Sequence, residues 1–328
     1  MLVKSQKLNP EVLSDDVEQV PIRNGFGEGL LIAAERDVRI VGLCADLTES
    51  TKMLAFAKKF PQRYVQIGVA EQNLAAVASG MAAMGKIPFI TSYAMFSPGR
   101  NWEQIRTTIC YNDRPVKIAG SHAGVSVGPD GGTHQAIEDI AIMRVIPRMH
   151  VVVPADAIEA KKATLAAARI DAPFYIRLAR EKTPVITTDA SFFEIGKANL
   201  LRSPKKPAAL IIACGPMVYN ALRAADELSG EGIELSVLNN HSIKPLDRDT
   251  ILAEAHRAGR VLTVEEHQAA GGMGSAIAEL IAQESPMPMK IMGVDDRFGQ
   301  SGTPAELVEH YGLGVSHIVR EAKKLLSR

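Results

Sequence analysis

The sequence of 328 residues is poor in cysteine, in aromatic side chains and in net charge. Lys plus Arg equals Asp plus Glu at 37 each, so the formal net charge is zero. A chain without net charge generates no overall field that attracts nucleic acid or an anionic membrane surface. The sequence also lacks an uncharged apolar run of about 18 residues, which a membrane-spanning helix needs. We therefore predict a globular protein that binds neither nucleic acid nor membrane.

The three cysteines, Cys44, Cys110 and Cys214, lie far apart among apolar residues and show no metal-ligand spacing. We interpret them as reduced core residues, which is typical of a cytoplasmic protein. The N-terminal sequence MLVKSQKLNP lacks the apolar segment of a secretory signal peptide, which also favours a cytoplasmic location. We predict no metal ligands on this chain.

Apolar runs of strand length alternate with segments of helical periodicity along most of the chain. This alternation is typical of mainly parallel sheets with helices on both faces, so we predict an α/β fold with two such domains. We expect a mobile N-terminal lead-in over residues 1–20, a first domain over 21–190, a linker over 191–206 and a second, smaller domain over 207–328.

The stretch from Tyr64 to Gly85 reads YVQIGVAEQNLAAVASGMAAMG. A short β-rich run ends at Gly68, and a helix of small residues follows with Glu71 in its first turn. Such a βα turn faces the ligand crevice of a parallel sheet. The Glu71 carboxylate either binds a ligand or serves only as an acid at a helix start, where the helix dipole favours it. The residues alone leave both alternatives open.

Other polar and aromatic residues also follow predicted strands. Because ligands bind at the carboxyl ends of parallel strands, we expect these residues to line the same crevice. Besides Glu71, they are Asp46, Tyr93 to Phe96, His122 and Arg180.

The motif GVAEQN at residues 68–73, with ADLT at 45–48 and GPDGGTHQ at 128–135, resembles the pyrimidine-binding domain of transketolases. The resemblance continues to the C-terminus, and it is greatest to the C-terminal half of a split transketolase. It implies a thiamine-diphosphate pyrimidine-binding domain over 21–190 and a transketolase C-terminal domain over 207–328.

The family holds Mg²⁺ through a GDG motif in its diphosphate-binding domain, and no GDG occurs in this sequence. The resemblance therefore implies a separate N-terminal diphosphate-binding subunit that carries the Mg²⁺ ligands. We expect the two chains to form a heterotetramer of the α2β2 type with active sites shared between them.

The resemblance implies a cofactor role for four residues. Glu71 would hydrogen-bond the pyrimidine ring of thiamine diphosphate and favour its imino tautomer, and the cofactor would supply the electron sink. Phe96 matches an aromatic residue that stacks on the pyrimidine, and Tyr93 matches an earlier aromatic. A third family aromatic falls on Gly99, a departure that would change the pocket. Asp46 matches a position near the cofactor. Core packing is the alternative for Phe96, and an N-cap is the alternative for Asp46.

Two histidines and an aspartate belong to a Gly-rich loop, since His122 and His134 flank Gly124–Gly132 and Asp130 lies within it. The matching family positions contact the sugar, with the histidines near the reacting oxygens and Asp130 at a hydroxyl of the acceptor. Proton transfer to a carbonyl oxygen suits histidine, which titrates near neutral pH. A structural hydrogen bond is the alternative for a single histidine.

Arg23, Ser50 and Arg180 match the sugar-phosphate contacts of the family. A guanidinium suits a phosphate because its planar fork donates two parallel hydrogen bonds. These three residues are scattered in sequence, so only the resemblance groups them. A solvated surface position is the alternative for each arginine.

The second domain carries Glu265-Glu266-His267 and a glycine cluster over 271–274 that opens a predicted helix. Such a helix start could bind an anion. The resemblance instead implies that this domain serves mainly in dimer packing, and we interpret His267 as structural.

The activity that the resemblance implies is transfer of a two-carbon ketol (glycolaldehyde) unit between ketose and aldose phosphates, as in pentose phosphate metabolism. One alternative is the β subunit of a 2-oxoacid dehydrogenase decarboxylase component, and another is a deoxyxylulose-phosphate synthase-like enzyme. The sequence THQAIE at 133–138 favours transketolase over both. A non-catalytic regulatory paralogue is a further alternative, which the presence of Glu71, His122, Asp130 and His134 disfavours.

Overall fold

The computed structural model describes residues 1–327 as an α/β protein built on two main sheets, as predicted. The strands are β1 (Gln19–Pro21), β2 (Ile40–Cys44), β3 (Tyr64–Gln66), β4 (Ile87–Tyr93), β5 (Lys117–Ser121), β6 (His150–Val152), β7 (Phe174–Arg177), β8 (Lys182–Pro184), β9 (Asn199–Arg202), β10 (Ala209–Ala213), β11 (Leu235–Asn239), β12 (Ser242–Lys244), β13 (Val261–Gln268) and β14 (Met289–Val294).

Helices connect most of these strands. They are α1 (Ile22–Arg36), α2 (Leu54–Lys59), α3 (Glu71–Ala83), α4 (Trp102–Gln104), α5 (Asp139–Arg144), α6 (Ala157–Ala167), α7 (Met217–Gly230), α8 (Arg248–Ala258), α9 (Met273–Glu284), α10 (Pro304–His310) and α11 (Val315–Leu326). Helix α4 continues as a π-helical stretch over Ile105–Cys110, and short 3₁₀ turns cover Lys4–Gln6, Pro61–Arg63 and Val125–Val127. Across residues 1–327, no helix combines the length and hydropathy needed to cross a bilayer.

The first sheet has the strand order β12-β6-β7-β5-β4-β2-β3, and all of its pairs except β12–β6 are parallel. Strands β2, β5 and β7 are buried along their whole length because helices cover both faces of the sheet. Helices α1 and α6 pack on one face so closely that a Cβ atom at Gly25 would lie 1.7 Å from the carbonyl oxygen of Ala157. This close packing requires glycine on the contacting face of α1.

The second sheet has the strand order β14-β13-β10-β11-β9, with only β9 antiparallel to its neighbour. One apolar cluster runs continuously from Leu74 and Ile109 beneath the first sheet to Leu210 and Ile212 in the second. The two sheets therefore share part of one core. All three cysteines are buried and free within the described chain, as predicted.

The N-terminal segment differs from the expected mobile lead-in. Leu2 pairs with Arg202 at the end of β9 in the second sheet, and Val12 is fully buried in the apolar cluster beside that sheet. Strand β1 then pairs with β8 in a separate two-stranded sheet. The apolar residues of this segment are too widely spaced to form a periodic pattern, so the sequence shows no sign of this packing.

The predicted linker over 191–206 is also partly regular, because β9 lies inside it and pairs with β11. In the opposite direction, β12 leaves the second domain and pairs antiparallel with β6 at the edge of the first sheet. These are strands of three or four residues at sheet edges, too short for an alternating pattern to reveal. The chain thus crosses between its two halves more often than expected.

Candidate active site

The predicted crevice residues lie at the carboxyl ends of the strands of the first sheet. Glu71 is the first residue of α3, directly after the turn that leaves β3, and its side chain is only 1% exposed. Its carboxylate accepts a hydrogen bond from Nη1 of Arg100 at 2.6 Å, while the Arg100 side chain is 49% exposed. Glu71 is therefore a buried carboxylate with one cationic partner at the edge of solvent. A solvated acid at a helix start would not be buried in this way.

Four rings stand side by side at and beyond the carboxyl ends of β4 and β5, and we refer to Tyr93, Phe96, His122 and His134 as the aromatic cluster. The Tyr93 ring stacks on His122 with centroids 3.8 Å apart, and it lies nearly parallel to Phe96 at 6.2 Å. His134 meets Phe96 edge to face at 5.4 Å. Tyr93, Phe96 and His134 are only partly buried, so the cluster forms a wall of the crevice. Core packing does not account for Phe96.

His122 is the buried member of the cluster, held between two polar partners. Its Nε2 lies 3.2 Å from Nη1 of Arg23, and its Nδ1 lies 2.8 Å from Oγ of Ser121. Burial and the nearby charges of Arg23 and Arg180 lower the pKa of His122 to about 3. The imidazole is therefore neutral near pH 7. Because arginine can only donate, Nε2 is the acceptor and Nδ1 carries the proton.

Arg23 and Arg180 form a local cationic patch, although the chain as a whole is neutral. Arg23 donates to the carbonyl oxygen of Ser50 at 2.7 Å, and burial together with the charge of Arg180 lowers the pKa of Arg23. Arg180 donates to the carbonyl oxygen of Val127 at 2.8 Å, and its Nη1 lies 3.9 Å from Oδ1 of Asp130. The structure thus brings these scattered residues together. Ser50 contacts Arg23 through its backbone, not its hydroxyl.

Asp46 lies just beyond the end of β2 in a left-handed conformation, with φ of 58°. Its N–H donates to Oε1 of Gln66 at 2.8 Å, and the residue is exposed. The next helix, α2, begins at Leu54 with Met53 at its N-cap position. Asp46 is therefore not an N-cap. Within residues 1–327 it forms no ion pair with either arginine of the cationic patch.

Residues of the second domain hydrogen-bond the Gly-rich loop that carries Asp130 and hold it in place. The N–H of Ser126 donates to the buried carboxylate of Glu266, and a Cβ atom at Gly124, where φ is +90°, would lie 2.4 Å from Cδ of that carboxylate. Oγ of Ser301 donates to the carbonyl of Pro129 at 3.1 Å.

Gln135 forms further hydrogen bonds between this loop and the second domain. Its Nε2 donates to the carbonyl oxygen of Gln300 in the second domain at 3.0 Å and to that of Val125 in the loop at 3.0 Å. Gln135 belongs to the GPDGGTHQ motif, and Glu266 to the EEH sequence. Both residues therefore lie in motifs that stand out in the sequence, but nothing in those motifs indicates that they meet at this loop.

The glycine cluster that opens α9 does not present a free anion site. The carboxylate of Glu265 accepts hydrogen bonds from the N–H groups of Met273 and Gly274, each at 2.7 Å. A Cβ atom at Gly272 would lie 2.3 Å from Oε2 of Glu265. The protein's own carboxylate thus takes the place of an external anion. His267 accepts a hydrogen bond from the N–H of Ala141, which agrees with a structural role.

Gly99 and Arg100 were the least predictable positions of the site. A Cβ atom at Gly99 would lie 1.9 Å from the carbonyl oxygen of Met95, so the turn leaves no room for a side chain there. The following residue, Arg100, places its guanidinium carbon 4.9 Å from the centroid of the Phe96 ring. No pattern of residues pointed to Arg100, because its contact with Glu71 depends on the shape of this turn.

Two family profiles match the chain. "Transketolase, pyrimidine binding domain" matches residues 18–185, and "Transketolase, C-terminal domain" matches residues 196–318. A 6-deoxy-6-sulfo-D-fructose transketolase subunit from Clostridium sp. (strain MSTE9) is 40% identical, over 95% of this chain and 96% of the relative. An apulose-4-phosphate transketolase subunit from Phocaeicola vulgatus is 35% identical, over 94% of this chain and 98% of the relative. A solved split gene transketolase, an inactive β4 tetramer, is similar with a TM-score of 0.87 and 43% identity, over 94% of this chain and 99% of that chain.

Proposed function

Because the chain belongs to the transketolase family and resembles its C-terminal half, we propose that it contributes the pyrimidine side of a thiamine-diphosphate-dependent active site. A separate diphosphate-binding subunit completes that site, and the assembly transfers a two-carbon ketol (glycolaldehyde) unit between a ketose phosphate and an aldose phosphate. The observation that carries the proposal is the buried Glu71 carboxylate, whose partner Arg100 also lies over the partly exposed Phe96 ring.

The residues present fit the pyrimidine half of thiamine diphosphate. Glu71 is a buried hydrogen-bond acceptor at the crevice, and Phe96 and Tyr93 offer nearly parallel rings on which a flat heterocycle can stack. When bound, the cofactor supplies the electron sink for breaking the carbon–carbon bond next to the ketose carbonyl. Glu71 holds the proton at the ring nitrogen in this arrangement. We assign the Mg²⁺ ligands to the partner subunit, because the GDG motif is absent from this sequence.

The substrate contacts follow from the charges and donors of the crevice. Arg23 and Arg180 provide guanidinium groups for the substrate phosphate, and Asp130 on the Gly-rich loop accepts from a sugar hydroxyl. His134 is partly exposed and moves a proton at a reacting oxygen. His122 is neutral and its Nε2 is an acceptor, so it orients a substrate hydroxyl by accepting a hydrogen bond at Nε2 in place of that from Arg23, and it does not act as a charged acid.

A sulfonate is the alternative to a phosphate as the anionic group of the substrate. One relative is named for a sulfonated ketose and another for a sugar phosphate. A sulfonate and a phosphate are both tetrahedral oxyanions, and a guanidinium fork binds either. We propose a sugar phosphate for this chain and treat a sulfonated ketose as the alternative that the same assay must include.

The test is reconstitution near neutral pH. The purified chain is mixed with a diphosphate-binding transketolase subunit, thiamine diphosphate, Mg²⁺, xylulose 5-phosphate and an aldose phosphate. We expect two-carbon transfer only when both chains and the cofactor are present, and a Glu71→Gln variant serves as the matched inactive control. Turnover of a branched 2-oxoacid would support the decarboxylase alternative instead. Absence of cofactor-dependent turnover with any phosphorylated or sulfonated ketose would support a regulatory paralogue.

A further inference from the structure

We propose that Arg100 is an internal ligand of the pyrimidine pocket, which the cofactor must displace in order to bind. The Arg100 guanidinium contacts both Glu71 and Phe96, the two residues that we assign to the aminopyrimidine ring. This inference rests on the proposed function, because it concerns the same pocket.

One planar cation makes both contacts that we assign to the cofactor. Nη1 of Arg100 donates to Oε2 of Glu71 at 2.6 Å, and Cζ of Arg100 lies 4.9 Å from the centroid of the Phe96 ring. A guanidinium over an aromatic face is a favourable cation–π arrangement. Two planar groups cannot use the same acceptor oxygen and the same ring face together. A pyrimidine that approached Oε2 and the face of Phe96 beneath Arg100 would therefore have to displace the guanidinium.

The chemistry of the two groups is similar. A guanidinium is flat, and its N–H groups radiate from a carbon bonded to nitrogen atoms. An aminopyrimidine is likewise flat, and its protonated ring nitrogen can donate to a carboxylate. Both donate to a carboxylate and stack on an aromatic ring. Arg100 thus satisfies Glu71 in the way the cofactor would.

The burial of Glu71 explains why its carboxylate needs a partner such as Arg100. Its side chain is 1% exposed, and a buried carboxylate without a partner is strongly destabilising. Pairing with Arg100 removes that penalty. Because the Arg100 side chain is itself half exposed, it can swing into solvent when a ligand supplies the replacement hydrogen bond.

The backbone beneath Arg100 is fixed while its side chain remains free to leave. Nδ2 of the buried Asn101 donates to the carbonyl oxygen of Glu71 at 2.9 Å and to Oγ of Ser97 at 3.2 Å. The indole N–H of Trp102 donates to the carbonyl oxygen of Ile142 at 2.7 Å. Displacement of Arg100 is therefore a side-chain movement on an anchored turn. The apparent affinity for the cofactor is reduced by the fraction of chains in which Arg100 holds the pocket.

The experiment measures binding of the aminopyrimidine alcohol of thiamine to the purified full chain by isothermal titration calorimetry. We expect Arg100→Met to bind this probe about ten-fold more tightly than the wild type. Arg106→Met is the matched control, because Arg106 is an exposed arginine of the π-helical stretch that follows this turn and has no contact with Glu71; this variant should bind like the wild type. Adding Glu71→Gln to Arg100→Met should remove the gain. Equal or weaker binding by Arg100→Met would overturn the proposal.

Folding and function are separated by two further measurements. If Arg100→Met does not give a cooperative thermal transition, Arg100→Lys is used; lysine keeps the charge but lacks the planar stack, and it too must bind the probe more tightly than the wild type. The wild-type complex is assayed for cofactor-dependent ketol transfer. An active complex whose Arg100 variants show no gain disproves only the role of Arg100. An inactive complex, with no probe binding by any variant, disproves the proposed function and this inference together.

Discussion

Replacing His122 with asparagine should make the protein less sensitive to mild acid. The native imidazole is buried, and its pKa is lowered to about 3, whereas the ordinary value in an unfolded chain is about 6.5. Asparagine does not titrate, and it tolerates the left-handed backbone at this position, where φ is 58°. The substitution therefore removes the titration without forcing a change in the turn.

The magnitude follows from proton linkage. A group with a lowered native pKa adds stability that is fully present above its unfolded pKa and is lost as the pH falls towards its native pKa. Between about pH 7.5 and about pH 5 the unfolded His122 becomes protonated while the native one stays neutral. The resulting loss is about 2 kcal/mol of unfolding free energy. This loss of unfolding free energy hardly depends on the exact pKa of the native imidazole, since any native pKa below about 4 gives nearly the same loss.

The assay is urea unfolding followed by the fluorescence of Trp102 at the two pH values. His241, whose pKa burial lowers to about 4, titrates in the same direction, and so does His150. Their contributions are common to both proteins, so the difference between wild type and variant isolates His122. We expect the wild type to lose about 2 kcal/mol more than the variant over this interval. A difference below about 0.5 kcal/mol would refute the buried, neutral state of His122.

Three other outcomes are expected. Glu71→Gln in the reconstituted complex should lower kcat by about 100-fold or more, because the proton at the pyrimidine is no longer held by a carboxylate; near-normal steady-state turnover would discard this role. Arg180→Ala should raise KM about ten-fold for phosphorylated sugars but much less for unphosphorylated ones, and an equal effect on both would remove it from the phosphate site. Gly99→Ala should lower the unfolding free energy by about 1–3 kcal/mol, because its Cβ would lie 1.9 Å from the Met95 carbonyl oxygen; an unchanged urea midpoint would contradict that clash.

The α/β architecture was predictable because the central strands are short apolar runs between helical segments. Strand β2, Ile40–Cys44, is buried at every residue, which is the pattern of a sheet covered on both faces. The position of Glu71 at the first turn of α3 also followed from the residues, because a strand and a small-residue helix meet there. Grouping Arg23 with Arg180 required the family resemblance, since their proximity depends on the order of the strands in the folded sheet.

The contacts that were not predictable depend on turn shape and on pairings between distant segments. Arg100 and Glu71 are 29 residues apart, and no periodic pattern connects them. The contact of Ser126 with Glu266 spans 140 residues and joins the two domains. Such contacts are specified by the tertiary structure, so composition and spacing carry no trace of them.

Strand β12 follows the first strands of the second domain in the chain but pairs with the first sheet, and the N-terminal segment packs on the second domain. This arrangement has a consequence for protein engineering. A first domain cut out alone would lose β12 and expose the edge of His150–Val152, where strands of other molecules could then pair. A second domain cut out alone would lose the cover that Val12 provides. Chimaeras designed to transfer sugar specificity from one relative to another should therefore exchange both domains together.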